Sequence, residues 1–233
     1  MESPVYIKIH NQIKRDIEAG VWQVGDRIPS ERALSAQFKV SRMTLRQALQ
    51  TLVEEGILER RVGAGTYVAR QKVQEVMSGT TSFTEIMRSQ GKFPSSQTIS
   101  YRIASPSLSE QERLHLQEND RVVRMERIRL ADSVPISFEV TTIPASLVKD
   151  FSRAEVTDSF YATMEQKGGY QIGAAKQTVT ATLASENIAD YLDLKRGDPI
   201  LRLRQITYLS DGRPFEYVRT QYAGERFEFY LEK

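Results

Sequence analysis

A chain of 233 residues with 40% hydrophobic content is long enough for two domains with cores of their own. No run approaches the 18 apolar residues of a membrane span, and the first residues lack the basic-then-apolar order of a signal peptide. Without cysteine, and with only His10 and His115 as histidines, the chain excludes a disulfide framework and thiolate chemistry; a zinc centre is not expected, and a reducing cytoplasm is the expected location. The net charge of +2 is uneven: residues 1–70 hold 11 Lys/Arg against 8 Asp/Glu, the remainder 21 against 22, an excess too mild to indicate nucleic acid by itself.

Residues 3–20, SPVYIKIHNQIKRDIEAG, predict a helix with Ser3 as cap, Pro4 at the first helical position, Tyr6, Ile9, Ile13 and Ile17 as its apolar stripe and Gly20 as its end. Residues 28–38, IPSERALSAQF, place Ser30 as N-cap and Glu31 in the first turn, with Leu34 and Phe38 facing inward. Only residues 38–40 separate this helix from the next, VSRMTLRQALQTLVEEG (40–56). There Leu45, Ala48, Leu49, Leu52 and Val53 recur at helical spacing between a capping Ser41 and a terminating Gly56. Two short helices joined so tightly match a helix-turn-helix. ILERRV, Gly63-Ala64-Gly65 and TYV then read as a small hairpin with Arg60 and Arg61 leading into its tip, the wing of a winged helix.

Arg42, Met43, Thr44, Arg46, Gln47 and Gln50 lie off the apolar stripe. For an isolated helix they are an ordinary solvated face. Behind a tight turn and beside a wing they are the positions that meet base edges and phosphates. The stretch IPSERALSAQFKVSRMTLRQALQTLVEEGILERRVGAGTYV resembles the signature of GntR-family bacterial transcription regulators, over about residues 6–68. That resemblance implies operator contacts from Arg32 and Arg42, phosphate or neighbouring-base contacts from Ser41, Thr44 and Arg46, and a wing tip at Gly63 and Gly65 in the minor groove. Ala64 departs from the family in lacking a polar or basic tip side chain, so groove contacts there rest on backbone.

The polar stretch ARQKVQEVMSG (69–79) reads as a linker, which divides the chain into residues 1–70, a linker at 71–78 and a second domain at 79–233. That domain reads as α+β. It opens with TTSFTEIMRSQG, where hydroxyls cluster at Thr80, Thr81, Ser82 and Thr84 and where Ser82 with Glu85 fits a capping box. The cluster is either a plain cap or an anion site made of hydroxyls and helix amides.

NDRVVRMERIRLADSVPISFE and GDPILRLRQITYLSDGRPFEY align with one inserted residue, Asp120 with Asp198, Arg124 with Arg202 and Pro135 with Pro214. Each reads as a β-hairpin preceded by a helical stretch, SEQERLHL or SENIADYLDL, so the domain is expected to be two pseudo-repeats sharing an antiparallel sheet. Arg127 and Arg129 stand where the second copy has Gln205 and Thr207, on the strand face shared with Val123 and Met125. Two guanidiniums on such a face need an anionic partner. A buried carboxylate such as Glu139 is one choice, a phosphorylated ligand the other.

Residues 75–233 resemble the UTRA ligand-binding domain of the HutC branch of that family, through TSFTE, RMERIRL, ISFEVTTIP, DSFY and RPFEYVRTQYAGERFEF in that order. The resemblance implies a chorismate-lyase-like six-stranded antiparallel sheet with helices, a homodimer, and a small effector held between sheet and loops. TSFTE is most similar to members that sense amino-sugar 6-phosphates. On that reading Ser82, Phe83 and Thr84 cradle the phosphate with Arg127 and Arg129, Glu139 holds sugar hydroxyls or an amine, and Ser159, Tyr161 and Tyr222 close the pocket. DSFY reads equally as a helix cap, and Tyr222 equally as packing.

The expected function is a homodimeric repressor of a near-palindromic operator, released by a sugar phosphate such as glucosamine 6-phosphate or N-acetylglucosamine 6-phosphate. The alternatives are another sugar phosphate or a non-sugar acid as effector, and a lyase-like enzyme. The enzyme reading is disfavoured because the proposed pocket contains no cysteine, histidine or metal-ligand cluster and no acid–base pair tuned near neutrality. No cofactor is expected. A sequence-indifferent DNA-packaging protein fits poorly with so little positive charge.

Overall fold

Three helices and a hairpin build the first of two units into which the chain divides, Met1–Gln71 and Lys72–Lys233. The computed structural model describes residues 3–69, 72–77, 81–158 and 160–231. Helix α1 (Val5–Glu18) starts behind Pro4, whose carbonyl accepts the N–H groups of Ile7 and Lys8. Ser3 does not cap it: Pro4 itself holds the N-cap position and no side chain caps the helix, because the ladder needs only the proline carbonyl there. Helix α2 (Glu31–Phe38) is capped by Ser30 Oγ, which accepts the Ala33 N–H at 3.3 Å. It ends at Lys39, whose left-handed φ of 55° lets the chain reverse before α3 (Arg42–Glu54). Ile9, Ile13, Leu34, Leu45, Leu49 and Leu52 close one core against Leu58 of β1 (Leu58–Arg61) and Val68 of β2 (Gly65–Val68).

The second unit opens with β3 (Val73–Val76), which pairs in parallel with the C-terminal strand of the chain. Residues 71–78, expected as a polar linker, therefore contain a strand. Val73 and Glu75 share its buried face, but four residues are too few to show a period, and the partner lies some 150 residues away. After α4 (Phe83–Ser89) the chain runs through β4 (Pro94–Ala104), α5 (Leu108–Leu114), β5 (Val122–Ala131) and β6 (Val134–Pro144). Helices α6 (Arg153–Asp158) and α7 (Phe160–Gln166) follow, then β7 (Ile172–Leu183), α8 (Glu186–Leu192), β8 (Pro199–Leu209), β9 (Pro214–Ala223) and β10 (Phe227–Tyr230).

Among the described residues, β4 to β9 form one antiparallel sheet of six strands in the order β4-β5-β6-β9-β8-β7. This is a duplication of strand, helix and hairpin, with β4 and β7 as its outer strands. The copies agree in detail. Ser107 and Ser185 cap α5 and α8, and both helices end on left-handed residues, His115 and Asp193. Asp120 accepts the Gln117 N–H at 2.7 Å, and Asp198 accepts the Lys195 N–H at 2.8 Å. The hairpins turn at Asp132-Ser133, both at positive φ, and at a longer loop carrying Gly212 at φ 87°. That loop accommodates the inserted residue. Helix α8 packs on one face of the sheet against Ile128, Phe138 and Ile200; Phe160 and Met164 of α7 pack with Val123 and Ile143 on the other.

Candidate functional site

In the first unit, the cap of α3 fixes the expected contact surface. Ser41 Oγ accepts the Thr44 N–H at 3.1 Å and shares a hydrogen bond of 2.9 Å with Thr44 Oγ1. Arg32 and Arg42 are exposed, and no described residue pairs with either side chain. Arg46 is held: its Nη2 donates to Glu31 at 3.1 Å, while Arg60 of β1 lies 3.7 Å from the other oxygen of that carboxylate. One acid in the first turn of α2 thus ties α3 to the wing. Met43 is 77% exposed, an apolar side chain at the front of α3 with nothing to cover it. At the wing tip Gly63 and Gly65 adopt φ of 74° and 122°. A Cβ on Gly65 would also stand 2.7 Å from Arg27 Nε, so only glycine suits this turn.

In the second unit a cavity of about 620 Å³ lies between the sheet, β3, α4 and α7. Arg127 faces Glu139 across the β5–β6 ladder. Its Nε and Nη2 both donate to Glu139 Oε1, the former at 3.1 Å, and its Nη1 donates to the Thr157 carbonyl at 2.9 Å. Arg129 donates from Nη2 to the same oxygen at 3.1 Å and from Nη1 to Ser96 Oγ at 2.9 Å, and sits 5.4 Å from the centre of the Phe83 ring. Burial opposes ionisation of Glu139, but the two guanidiniums outweigh it and hold the carboxyl at about 2.

Two further carboxyls on the cavity wall behave oppositely. Glu216 is 3% exposed and accepts the Tyr161 hydroxyl at 2.8 Å. Burial pushes it up to about 7, against that hydrogen bond and helped by the charge of Glu139. Glu75 of β3 accepts the Tyr222 hydroxyl at 3.5 Å, and burial raises it to about 7 as well, against the hydrogen bonds from Tyr222 and Gln177. Both phenols are pushed well above their ordinary value, first by burial, and stay protonated donors. Along the wall five glutamates face three arginines. The arrangement can hold an anion at one end and hydroxyls or a cation at the other.

Residues 89–228 match the UTRA domain, and residues 5–68 match the bacterial regulatory proteins of the gntR family. The chain belongs to the GntR family. It is 35% identical over 226 residues to the transcriptional repressor NagR of Bacillus subtilis, covering 97% of this chain and 93% of that one. It is 32% identical over 228 residues to the mannosyl-D-glycerate transport/metabolism system repressor MngR of Escherichia coli, covering 98% and 95%. Among solved structures, PhnF from Mycobacterium smegmatis shares 27% identity with a TM-score of 0.75, over 96% of this chain and 98% of its own. A GntR-family regulator from Enterococcus faecalis V583 is 60% identical, with a TM-score of 0.58, over 60% of this chain and all of its own. This GntR-family protein is a DNA-binding transcriptional repressor of the HutC type that answers to a small-molecule effector, and not an enzyme.

Within this repressor, Ser82, Phe83, Thr84, Arg127, Arg129, Glu139, Tyr161 and Tyr222 all line the one cavity. Ser159 lies outside the described residues. The capping box is built as well: Glu85 accepts both the backbone N–H and the hydroxyl of Ser82. Cap and cavity wall are the same residues. Tyr222 also packs, stacked on Phe227 at 3.9 Å. Sequence reasoning missed Glu216 and Glu75. The first was detectable from alternation, since Glu216, Val218, Thr220 and Tyr222 share a strand face; the second was hidden in the supposed linker.

Proposed function

We propose that this repressor binds a near-palindromic operator as a homodimer and is released by an amino-sugar 6-phosphate, glucosamine 6-phosphate or N-acetylglucosamine 6-phosphate. The observation that carries the effector reading is one cavity holding an arginine pair and two glutamates, Glu216 and Glu75, that form no ion pair among the described residues. The phosphate takes Arg129 with Ser82, Thr84 and the Phe83 backbone, since Arg129 spends only part of its fork on Glu139. Arg127 stays with Glu139 and orients it, while Tyr161, Tyr222, Ser159 and the glutamates take the sugar hydroxyls and nitrogen.

On DNA, Arg32 and Arg42 read bases because they are exposed and unpaired, and Arg46 is released to a phosphate only by giving up Glu31. Ser41 and Thr44 anchor phosphate at the start of α3, and Gly63 and Gly65 bring wing backbone into the minor groove. The test is operator binding by fluorescence anisotropy at fixed salt, using DNA upstream of the repressor's own gene and a panel of sugar phosphates. Release by one compound, and not by its unphosphorylated form, is expected. Tight binding untouched by the panel would overturn the sugar-phosphate effector and redirect the search to non-phosphorylated acids.

A further inference from the structure

The opposite face of the same sheet carries a second cleft, of about 750 Å³, beside α5. Its walls bring together Arg102, Arg124, Arg202, Arg204 and Arg219 against only Glu110 and Glu126. Strand register makes this concentration costly. Arg204 stands directly opposite Arg219 in the β8–β9 ladder, and Arg102 directly opposite Arg124 in the β4–β5 ladder, so like charges face each other across adjacent strands.

The internal duplication shows which of these charges are compensated. In the first copy Arg124 is paired with buried Glu110, its Nε and Nη2 donating at 3.0 and 2.6 Å, and Arg102 reaches Glu126 at 3.3 Å. In the second copy Arg202 takes the place of Arg124, but the helix position equivalent to Glu110 is Ile188, three residues past the capping serine in both helices. Arg204 takes the place of Glu126, reversing the charge, and Arg219 takes the place of Val140. Neither Arg202 nor Arg204 has a partner among the described residues, and Arg219 lies 4.0 Å from the already engaged Glu110 and 5.7 Å from the centre of the Tyr217 ring. One half of the duplication has therefore neutralised this surface, and the other has removed its carboxylates and added guanidiniums.

We propose that the cleft beside α5 is a second anion-binding site, distinct from the effector cavity, which takes a compact ligand carrying more than one phosphate group. Arginines in a concave wall pair bidentately with phosphate oxygens, and the concavity concentrates their field. A bound diphosphate removes the repulsion between Arg204 and Arg219 and supplies the missing partner of Arg202.

Pyrophosphate tests this by isothermal titration calorimetry on the full chain at constant ionic strength, alongside light scattering. The wild type is expected to bind it, the Arg202→Gln/Arg204→Gln double variant at least tenfold more weakly, and Arg129→Gln, altered only in the other cavity, to keep the binding that the double variant loses. Both changed side chains are exposed, so the double variant is expected to keep its thermal midpoint without ligand. Should it unfold early, Arg204→Lys serves in its place, with an expected weakening of several-fold. Three results would overturn the site: no heat from millimolar pyrophosphate with wild type, equal binding by wild type and double variant, or loss of binding in Arg129→Gln instead. A change of oligomeric state in the double variant with pyrophosphate binding intact would also overturn it and make the cleft an interface between copies.

Discussion

Glu216 and Glu139 lie on adjacent strands of one cavity and respond oppositely to the same burial, because Glu139 has two guanidiniums beside it and Glu216 has a phenol. The consequence for stability follows from proton counting. An unfolded glutamate ionises near 4.5, whereas Glu216 in the fold keeps its proton to about 7, so between those values the folded state binds more protons and stability falls as pH rises. Glu75 acts in the same direction. Glu139 and Glu110, both held at about 2, stabilise the fold above 4.5 and lose that contribution as pH drops toward 2. The thermal midpoint of the second unit is therefore expected to decline from about pH 5 to pH 7.5. Glu216→Gln should flatten the decline and raise the midpoint at pH 8 by a few degrees; an unchanged slope would assign the titration to another group.

Arg42 and Arg129 separate the two activities at the same scale. Arg42→Ala is expected to weaken operator binding by at least tenfold while leaving effector affinity as it was. Arg129→Ala should bind operator normally and no longer respond to the effector. Both are read by anisotropy with and without sugar phosphate. Loss of DNA binding in a folded Arg129→Ala protein would count against the role proposed for that side chain.

Elements of the first unit owe their places to local signals. The stripe of Leu45, Ala48, Leu49 and Leu52 is fully buried, and Ser30 and Ser41 both cap the helices that follow them. Leu49→Ala should cost about 2–5 kcal/mol in denaturant unfolding of that unit. In the wing, Gly65→Val forces a branched side chain into φ of 122°, at a backbone cost of about 1–3 kcal/mol. Operator affinity should fall with no change in effector affinity, and an unaltered operator affinity would remove the wing from the interface. Strand β3 is the counterexample to local legibility. Val73 and Glu75 look like part of a polar connector until Phe227 and Phe229 are paired beside them. The same long-range pairing brings Glu75 to the cavity of the proposed effector site, so half of what sequence reasoning missed there has one cause.

For the molecule as a whole, the proposed DNA-binding site lies in the first unit and the proposed small-ligand site in the second. Effector and operator binding are expected to oppose each other with a coupling of about 1–3 kcal/mol, a shift of roughly 5–150-fold in operator affinity. Reciprocity requires the operator to weaken effector binding by the same factor. Calorimetric titration of the effector with and without operator checks this, and equal affinities would remove the coupling.

The sequence by itself determined the helix-turn-helix, the wing, the two hairpin repeats and the arginine pair that lines the cavity of the second unit. Those features rest on periodicity, caps and turns within a few residues of one another, or on a repeat visible by alignment. Only the tertiary structure decided that Glu139 holds both Arg127 and Arg129, that Glu31 holds Arg46, and that burial raises Glu75 and Glu216 to about 7. Each of those depends on which side chains meet across strands or helices and on how much water burial removes, and neither quantity is written in local spacing.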